Sequence, residues 1–169
     1  MTERPGRPRR ARAAPALYSA EERVRRDATV WTVVQGILAP LQFAVFLVSL
    51  VLVVRVLATG EGEVAATASI ILKTAVLLTI MVTGAIWEKV VFGQYLFAPA
   101  FFWEDAVSML VIALHLGYVA ALVTGRLDTT GQMWLALAAY AAYVVNAAQF
   151  VLKLRAARLS APQLAAGAA

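Results

Sequence analysis

The stretch WEKVVFGQYLFAPAFFWED, residues Trp87–Asp105, lies between two long apolar runs and decides how the chain is arranged. Its uncharged part, Val90–Trp103, contains fourteen residues. That is too few for a membrane-crossing helix, which needs roughly 20 residues. Gly93 and Pro99 should also interrupt any helix that forms within it. The stretch therefore predicts an interfacial or re-entrant hairpin that joins two membrane spans.

The composition of the whole chain is that of an integral membrane protein. Hydrophobic residues make up 62% of its 169 residues and charged residues 15%, whereas soluble proteins have about 45–50% apolar and about 25% charged residues. Cysteine is absent and there is one histidine, which excludes disulfides and thiolate metal sites and leaves no cluster of metal ligands. The sequence therefore predicts an all-α membrane protein without a protein-bound metal.

Four runs with few or no charges reach the length of a membrane span. They are Ala28–Val54, Val64–Trp87, Ala106–Gly125 and Thr129–Leu152. They predict a transmembrane domain of four helices over residues 18–158, preceded by a disordered Arg-rich tail over residues 1–17 and followed by a flexible Ala-rich tail over residues 159–169. Ser19 and Glu22 match the capping-box pattern and predict a short surface helix that continues into the first span.

Basic residues are distributed unevenly along this arrangement. Twelve of the fifteen Lys and Arg residues lie before Ala28, in the loop after the second span or after the fourth span. By the positive-inside rule, this distribution predicts that both termini are cytoplasmic. No aromatic residues are interleaved with the basic ones, so an anionic lipid surface accounts for them better than a nucleic acid.

Each predicted span carries one line of polar residues. These are Gln35, Gln42 and Ser49 in the first, Ser69, Lys73 and Gly84 in the second, Glu104, Ser108 and His115 in the third, and Asn146, Gln149 and Lys153 in the fourth. Because lipid penalises polar groups, the lines should face the interior of the bundle. They serve either as interhelical hydrogen bonds or as the lining of a polar cavity that opens toward the cytoplasm.

Two residues of these lines lie deep in their spans. Lys73 either has a purely structural role or meets a carboxylate of a ligand, because an unpaired charge at that depth is costly. His115 is either a hydrogen-bonded core residue or an axial ligand to the metal of a tetrapyrrole.

The opening stretch combines aromatic and acidic residues. Six of its seven aromatic residues lie between Glu88 on one side and Glu104 and Asp105 on the other. Rings beside carboxyl groups suit a flat apolar ligand with a reactive polar edge. The alternatives are an ordinary interfacial aromatic belt and acidic residues that stabilise a helix N-terminus.

Three segments carry a resemblance to a known family. They are MVTGAIWEKVVFGQYLFAPAFFWEDAVSMLVIALH (Met81–His115), RRDATVWTVVQGILAPLQF (Arg25–Phe43) and AAYVVNAAQFVLKLRAARL (Ala141–Leu159). Over residues 20–159 the chain resembles the 3-vinyl (bacterio)chlorophyllide hydratase family of phototrophic bacteria. The resemblance implies a lyase of bacteriochlorophyll synthesis in a bacterial inner or photosynthetic membrane. Such an enzyme adds water across the C3 vinyl group of a chlorophyllide or bacteriochlorophyllide to give a 1-hydroxyethyl group. It implies no cofactor, because the Mg belongs to the chlorin substrate.

Vinyl hydration needs a general acid to protonate the terminal carbon and a base to deprotonate the incoming water. We predict Glu104 as the proton donor, with Asp105 or Glu88 as the base or the residue that positions the water. The predicted substrate-binding residues are the rings of Trp87, Tyr95, Phe97, Phe101, Phe102 and Trp103, the amides of Gln42 and Asn146, Lys73 or Lys89 for the propionate, and His115 for the Mg.

Two other functions use the same features. A non-catalytic pigment carrier or assembly subunit of a photosynthetic complex would use the rings and His115 without needing the acids. A proton-coupled transporter would use Lys73 and the polar lines, but the chain carries no inverted repeat. The predicted partners are the pigment and membrane lipids, together with a second copy of the chain or other pigment-synthesis enzymes, and no nucleic acid.

Overall fold

A computed structural model describes residues 17–166, with side chains as far as Arg158. Within these residues the chain forms five α-helices and no β-strand. The helices are α1 (Ala20–Ala28), α2 (Val30–Thr59), α3 (Glu63–Phe92), α4 (Phe102–Thr124) and α5 (Thr129–Ala166). Helices α2, α3 and α4 and the part of α5 up to Arg158 are long and apolar enough to cross a membrane. This confirms the predicted all-α membrane fold with four transmembrane helices.

The surface helix α1 begins as predicted but is separate from the first span. The Ser19 side chain accepts a hydrogen bond from the Glu22 backbone N–H, and the Glu22 side chain accepts one from the Ser19 N–H. At Thr29 the backbone is extended, with φ −86° and ψ 136°. Its N–H donates to the Arg25 carbonyl, and its side chain accepts from the Trp31 N–H. The predicted continuous run into the first span is therefore wrong, because Thr29 ends α1 and caps α2.

The predicted hairpin between the second and third spans is shorter than its aromatic stretch. Helix α3 continues to Phe92 and α4 begins at Phe102, so residues 93–101 alone form the connection. Gly93 ends α3 with φ +87°, a conformation that glycine adopts readily. Its N–H donates to the Lys89 carbonyl. The position of this connection at a membrane interface stays a prediction.

The bundle has two unequal halves along its length. The packed half comprises residues 46–77 and 111–140, and it contains most of the hydrophobic core. The open half comprises residues 30–45, 78–110 and 141–158, where the helices enclose a cavity. Helix α2 packs on α3, α4 packs on α5, and α2 contacts α5 to close the bundle. The fold therefore places the space for a ligand at the end of the bundle that carries the α3–α4 connection.

The predicted tails mostly lie outside the described residues. Residues 1–16 and 167–169 are not among them. The predicted boundary at residue 158 falls inside α5, whose backbone is helical to Ala166.

Candidate active site

The open half contains a cavity of about 1210 Å³. Small-molecule sites typically enclose about 300–1,000 Å³, so this one suits a large ligand. Gln42, Leu77 and Val111 are the lining residues nearest the packed half, and Tyr18 lines the opposite end. The lining is mainly apolar, with a few polar groups at defined positions.

Two buried carboxyl groups meet at the wall of this cavity. Glu88 is near the end of α3 and Asp105 is in the first turn of α4, and both line the cavity. They are held side by side, since the successive backbone N–H groups of Phe97 and Ala98 donate one to each. Neighbouring carboxyl groups disfavour each other's ionised form, so the pair is suited to hold a proton.

The α3–α4 connection donates to both members of this pair. The Phe97 N–H donates to Asp105 Oδ2 at 2.7 Å, and the Ala98 N–H donates to Glu88 Oε2 at 3.2 Å. Successive backbone N–H groups aimed at one place form an anion-binding concavity. Phe97 has φ +59° and is the one non-glycine residue with positive φ among the described residues. A strained backbone of this kind costs on the order of 1–3 kcal/mol and persists where the surrounding structure fixes it.

Glu104, the predicted proton donor, is buried outside the cavity lining. Its carboxylate forms an ion pair with Lys153 of α5, and Lys153 also donates to the Ala100 carbonyl. Asn146 of α5 donates to the Glu104 carbonyl at 2.8 Å and to Ser108 Oγ at 3.0 Å. These bonds attach the start of α4 to α5. The structure thus brings Asp105 and Glu88 to the cavity and joins Glu104 to its supporting contacts.

The predicted aromatic residues fall into two groups. Trp87 and Phe101 line the cavity, with ring centroids 5.7 Å apart. The other group lies outside the cavity lining and is largely exposed, and its members are Tyr95, Phe97, Phe102 and Trp103. Trp103 is 70% exposed. The structure therefore brings two of the six predicted rings to the ligand site, and the outer group suits a membrane interface.

Tyr18 is an aromatic residue of the site that sequence reasoning missed. Its ring stacks on that of Phe92, with centroids 5.8 Å apart, and lies 6.4 Å from that of Phe101. The Arg26 guanidinium lies over the Tyr18 ring, 4.8 Å from its centroid. Burial raises the pKa of the Tyr18 phenol, so the side chain stays neutral. Tyr18 is far from these rings in the chain, and its local sequence carries no signal for the contact.

The polar residues predicted to bind the substrate also fall into two groups, inside and outside the cavity lining. Gln42 and Asn146 line the cavity, and their predicted contact with the pigment stays a prediction. Lys73, His115 and Lys89 do not line it.

The three that lie elsewhere have different surroundings. The Lys73 Nζ is buried 3.9 Å from the Tyr143 ring centroid, without a hydrogen-bond partner among the described residues. In His115, Nδ1 lies 2.8 Å from the Val111 carbonyl, and Nε2 has no partner in this part of the chain. Lys89 Nζ donates to the Gly93 carbonyl at 2.7 Å. The roles predicted for them toward Mg and propionate remain predictions.

Three arginines stand at the end of the cavity that Tyr18 lines. Arg23 and Arg26 come from α1, and Arg158 comes from α5. Sequence reasoning assigned them only to the basic side of the membrane. Their convergence requires α1 to fold back on the end of α3, where Arg25 Nε donates to the Val91 carbonyl at 2.8 Å.

The cavity also opens through the side of the bundle. Helices α2 and α5 meet at Phe46, whose ring centroid is 5.5 Å from that of Tyr140 and 5.0 Å from that of Tyr143. Beyond this contact, Phe43 of α2 and Val151 of α5 line the cavity and are also 49% and 63% exposed. The gap between these two helices therefore faces the surface that lipid would cover.

Comparison with known proteins adds a family. The family model described as 2-vinyl bacteriochlorophyllide hydratase matches residues 18–156. A curated relative of that name from Rhodobacter capsulatus is 70% identical over 152 residues, which are 90% of this chain and 88% of the relative. Another from Cereibacter sphaeroides is 69% identical over 149 residues, which are 87% of this chain and 92% of the relative. No solved structure matches the chain.

Proposed function

The chain belongs to the 2-vinyl bacteriochlorophyllide hydratase family, and from that premise we propose that it hydrates the vinyl group of a chlorophyllide or bacteriochlorophyllide. The product carries a 1-hydroxyethyl group in place of the vinyl group. This substituent is numbered 2 or 3 according to the numbering convention of the macrocycle. The observation that carries the proposal is the pair of acids Glu88 and Asp105 at the wall of the cavity, each bonded by one of the successive N–H groups of Phe97 and Ala98.

The cavity supplies the binding surface for the flat pigment. Its volume of about 1210 Å³ and its mainly apolar lining suit a macrocycle with apolar faces. The rings of Trp87 and Phe101 offer edges and faces for stacking against it. The pigment displaces water from the wall around the acids, which strengthens their electrostatic effect on the reacting group.

The first chemical step is protonation of the vinyl group. The carboxyl pair transfers its proton to the terminal carbon, so a C–H bond forms and the π bond breaks. Positive charge develops on the inner carbon and spreads into the macrocycle. The pair is then fully ionised, and the Phe97 and Ala98 N–H groups stabilise it by donating to both carboxylates.

The second step is attack by water on the inner carbon. A C–O bond forms, and the proton that the water loses passes to the ionised pair, which returns to its starting state. One carboxyl pair thus acts first as acid and then as base. The balance consumes one water and needs no oxidant or reductant. We therefore propose no cofactor, and the Mg belongs to the pigment.

The test is turnover by the purified protein in detergent or lipid with a vinyl-bearing chlorophyllide. Hydration shortens the conjugation, so the red absorption band should move to shorter wavelength and the pigment mass should increase by one water. Glu88→Gln and Asp105→Asn should each lower the rate roughly 10²-fold or more while pigment binding changes little. Glu21→Gln, at an exposed position on α1, is the matched control. A wild-type protein that binds the pigment and returns it unchanged would instead be a carrier.

A further inference from the structure

The charged residues that line the cavity are separated by sign. The acids are Glu88 and Asp105, at the junction of α3 and α4, and the bases are Arg23, Arg26 and Arg158, at the mouth that Tyr18 lines. Among the described residues, no ion pair joins these arginines to Glu88 or Asp105.

Two of the three arginines have no acidic partner among the described residues. Arg26 forms an ion pair with Asp27 at 2.8 Å and lies over the Tyr18 ring. Among the described residues no carboxylate lies within ion-pair distance of Arg23 or Arg158, although both line the cavity. Positive charge directed at a mainly apolar cavity favours an anionic group at that end of the ligand.

We propose that Arg23 and Arg158 bind the propionate carboxylate of the pigment at the mouth of the cavity, an inference that rests on the proposed hydratase function. The planar guanidinium donates in a fork that matches the two oxygens of a carboxylate. Anchoring the carboxylate there orients the macrocycle and directs its vinyl-bearing edge toward Glu88 and Asp105. Arg26 holds Tyr18 beside the same mouth.

This arrangement makes the free carboxylate a determinant of specificity. An esterified pigment of the same macrocycle carries no negative charge at this position, so its binding leaves Arg23 and Arg158 without a partner. Arg23 is half-buried and Arg158 is exposed, and the loss of the charged acceptor by both should cost the ester about tenfold in affinity. The site therefore selects the free acid over the esterified pigments that share the membrane.

The experiment compares a vinyl chlorophyllide with its methyl ester. Binding is measured by titrating the pigment absorption, and turnover is measured separately by loss of the vinyl group. The wild type should bind the acid about tenfold or more tightly than the ester. Arg23→Gln and Arg158→Gln should weaken binding of the acid and raise its KM by a similar factor, with ester binding unchanged. Compared with Arg158→Gln, Arg158→Lys should keep part of the preference for the acid over the ester, because lysine retains the positive charge but lacks the forked donors of the guanidinium.

Arg155→Gln is the matched control, because Arg155 is exposed one turn from Arg158 and does not line the cavity. Equal binding of acid and ester by the wild type would overturn the proposal. So would a loss for acid and ester alike in the Arg23 and Arg158 variants, or an equal loss in the Arg155 control. Failure of the hydratase function would give a different result. The wild type would then still bind the acid more tightly than the ester, but it would leave the vinyl group intact.

Discussion

Glu88 and Asp105 are joined by a residue that lies between them in the chain. The positive φ of Phe97 turns its own N–H and that of Ala98 toward the two carboxyl groups. The Phe97 ring packs on Phe102, with centroids 5.6 Å apart, and does not line the cavity. At this scale the backbone of Phe97 contributes to the site, and its side chain is replaceable.

Substitutions at Phe97 separate these two contributions. Asn adopts positive φ with little strain, whereas a β-branched residue does so at a cost of about 1–2 kcal/mol or more. Phe97→Asn should therefore retain most of the hydration rate, and Phe97→Val should lower both the rate and the midpoint of thermal unfolding. For each variant, the hydration rate is measured by pigment absorption and the stability by thermal unfolding in the same detergent. If Phe97→Val matches Phe97→Asn in rate, the backbone donors are not needed for catalysis.

At the scale of elements, α5 holds the start of α4 in place. Lys153 bonds to the Ala100 carbonyl and to Glu104, and Asn146 bonds to the Glu104 carbonyl. Asp105 follows Glu104 directly, so these contacts position the cavity acid. This geometry assigns Glu104 a supporting role, while its predicted role as proton donor remains to be tested.

A double substitution distinguishes the two roles of Glu104. Removing one partner of a buried ion pair leaves an uncompensated charge and costs about 3–5 kcal/mol, whereas replacing both partners is often nearly neutral. Glu104→Gln alone should therefore lower stability and activity, and Glu104→Gln with Lys153→Met should recover a large part of both. If Glu104 is the proton donor, the double variant will regain stability in thermal unfolding and remain inactive.

The sequence predicts the helices better than it predicts the contacts between them. Long apolar runs and inward polar lines indicated four helices, and Gln42, Asn146, Glu88 and Asp105 do line the cavity. Hydropathy identifies the spans because a segment in lipid must form its backbone hydrogen bonds internally, which requires a continuous apolar helix.

The missed features depend on contacts between segments. Tyr18 and Arg23 reach the cavity only because α1 folds back onto α3, and Arg158 only because α5 extends beyond the predicted span. The positive φ of Phe97 has no local sequence signature, since Gly and Asn are the usual residues there. The division of the acids between cavity and ion pair follows from the rotation of α4 against α5, which periodicity does not fix.

At the scale of the whole molecule, the packed half holds the helices together and the open half holds the ligand. The two halves meet where Phe46 contacts Tyr140 and Tyr143. The α3–α4 connection and the arginines at the cavity mouth lie at the same end of the bundle. The predicted orientation, with both termini cytoplasmic, would make this the cytoplasmic end.

Single cysteines in this cysteine-free chain test the orientation. Glu61 and Gln94 are exposed in the connections at opposite ends of the bundle. They are better sites than the neighbouring Gly62 and Gly93, whose φ values of +88° and +87° disfavour other residues. Glu61→Cys should react with an impermeant thiol reagent added outside intact cells, and Gln94→Cys only after the cells are opened. The reverse pattern would invert the predicted topology.

The gap between α2 and α5 offers the pigment a route from the bilayer into the cavity. A macrocycle dissolved in the bilayer would reach this gap by lateral diffusion and enter without crossing water. Encounter would then take place in two dimensions, and the relevant quantity would be the number of pigment molecules per lipid. We therefore expect that diluting the same pigment into more membrane slows turnover even when the amount per volume of suspension is constant. The bilayer itself would act as the reservoir that sets how far the binding site is filled.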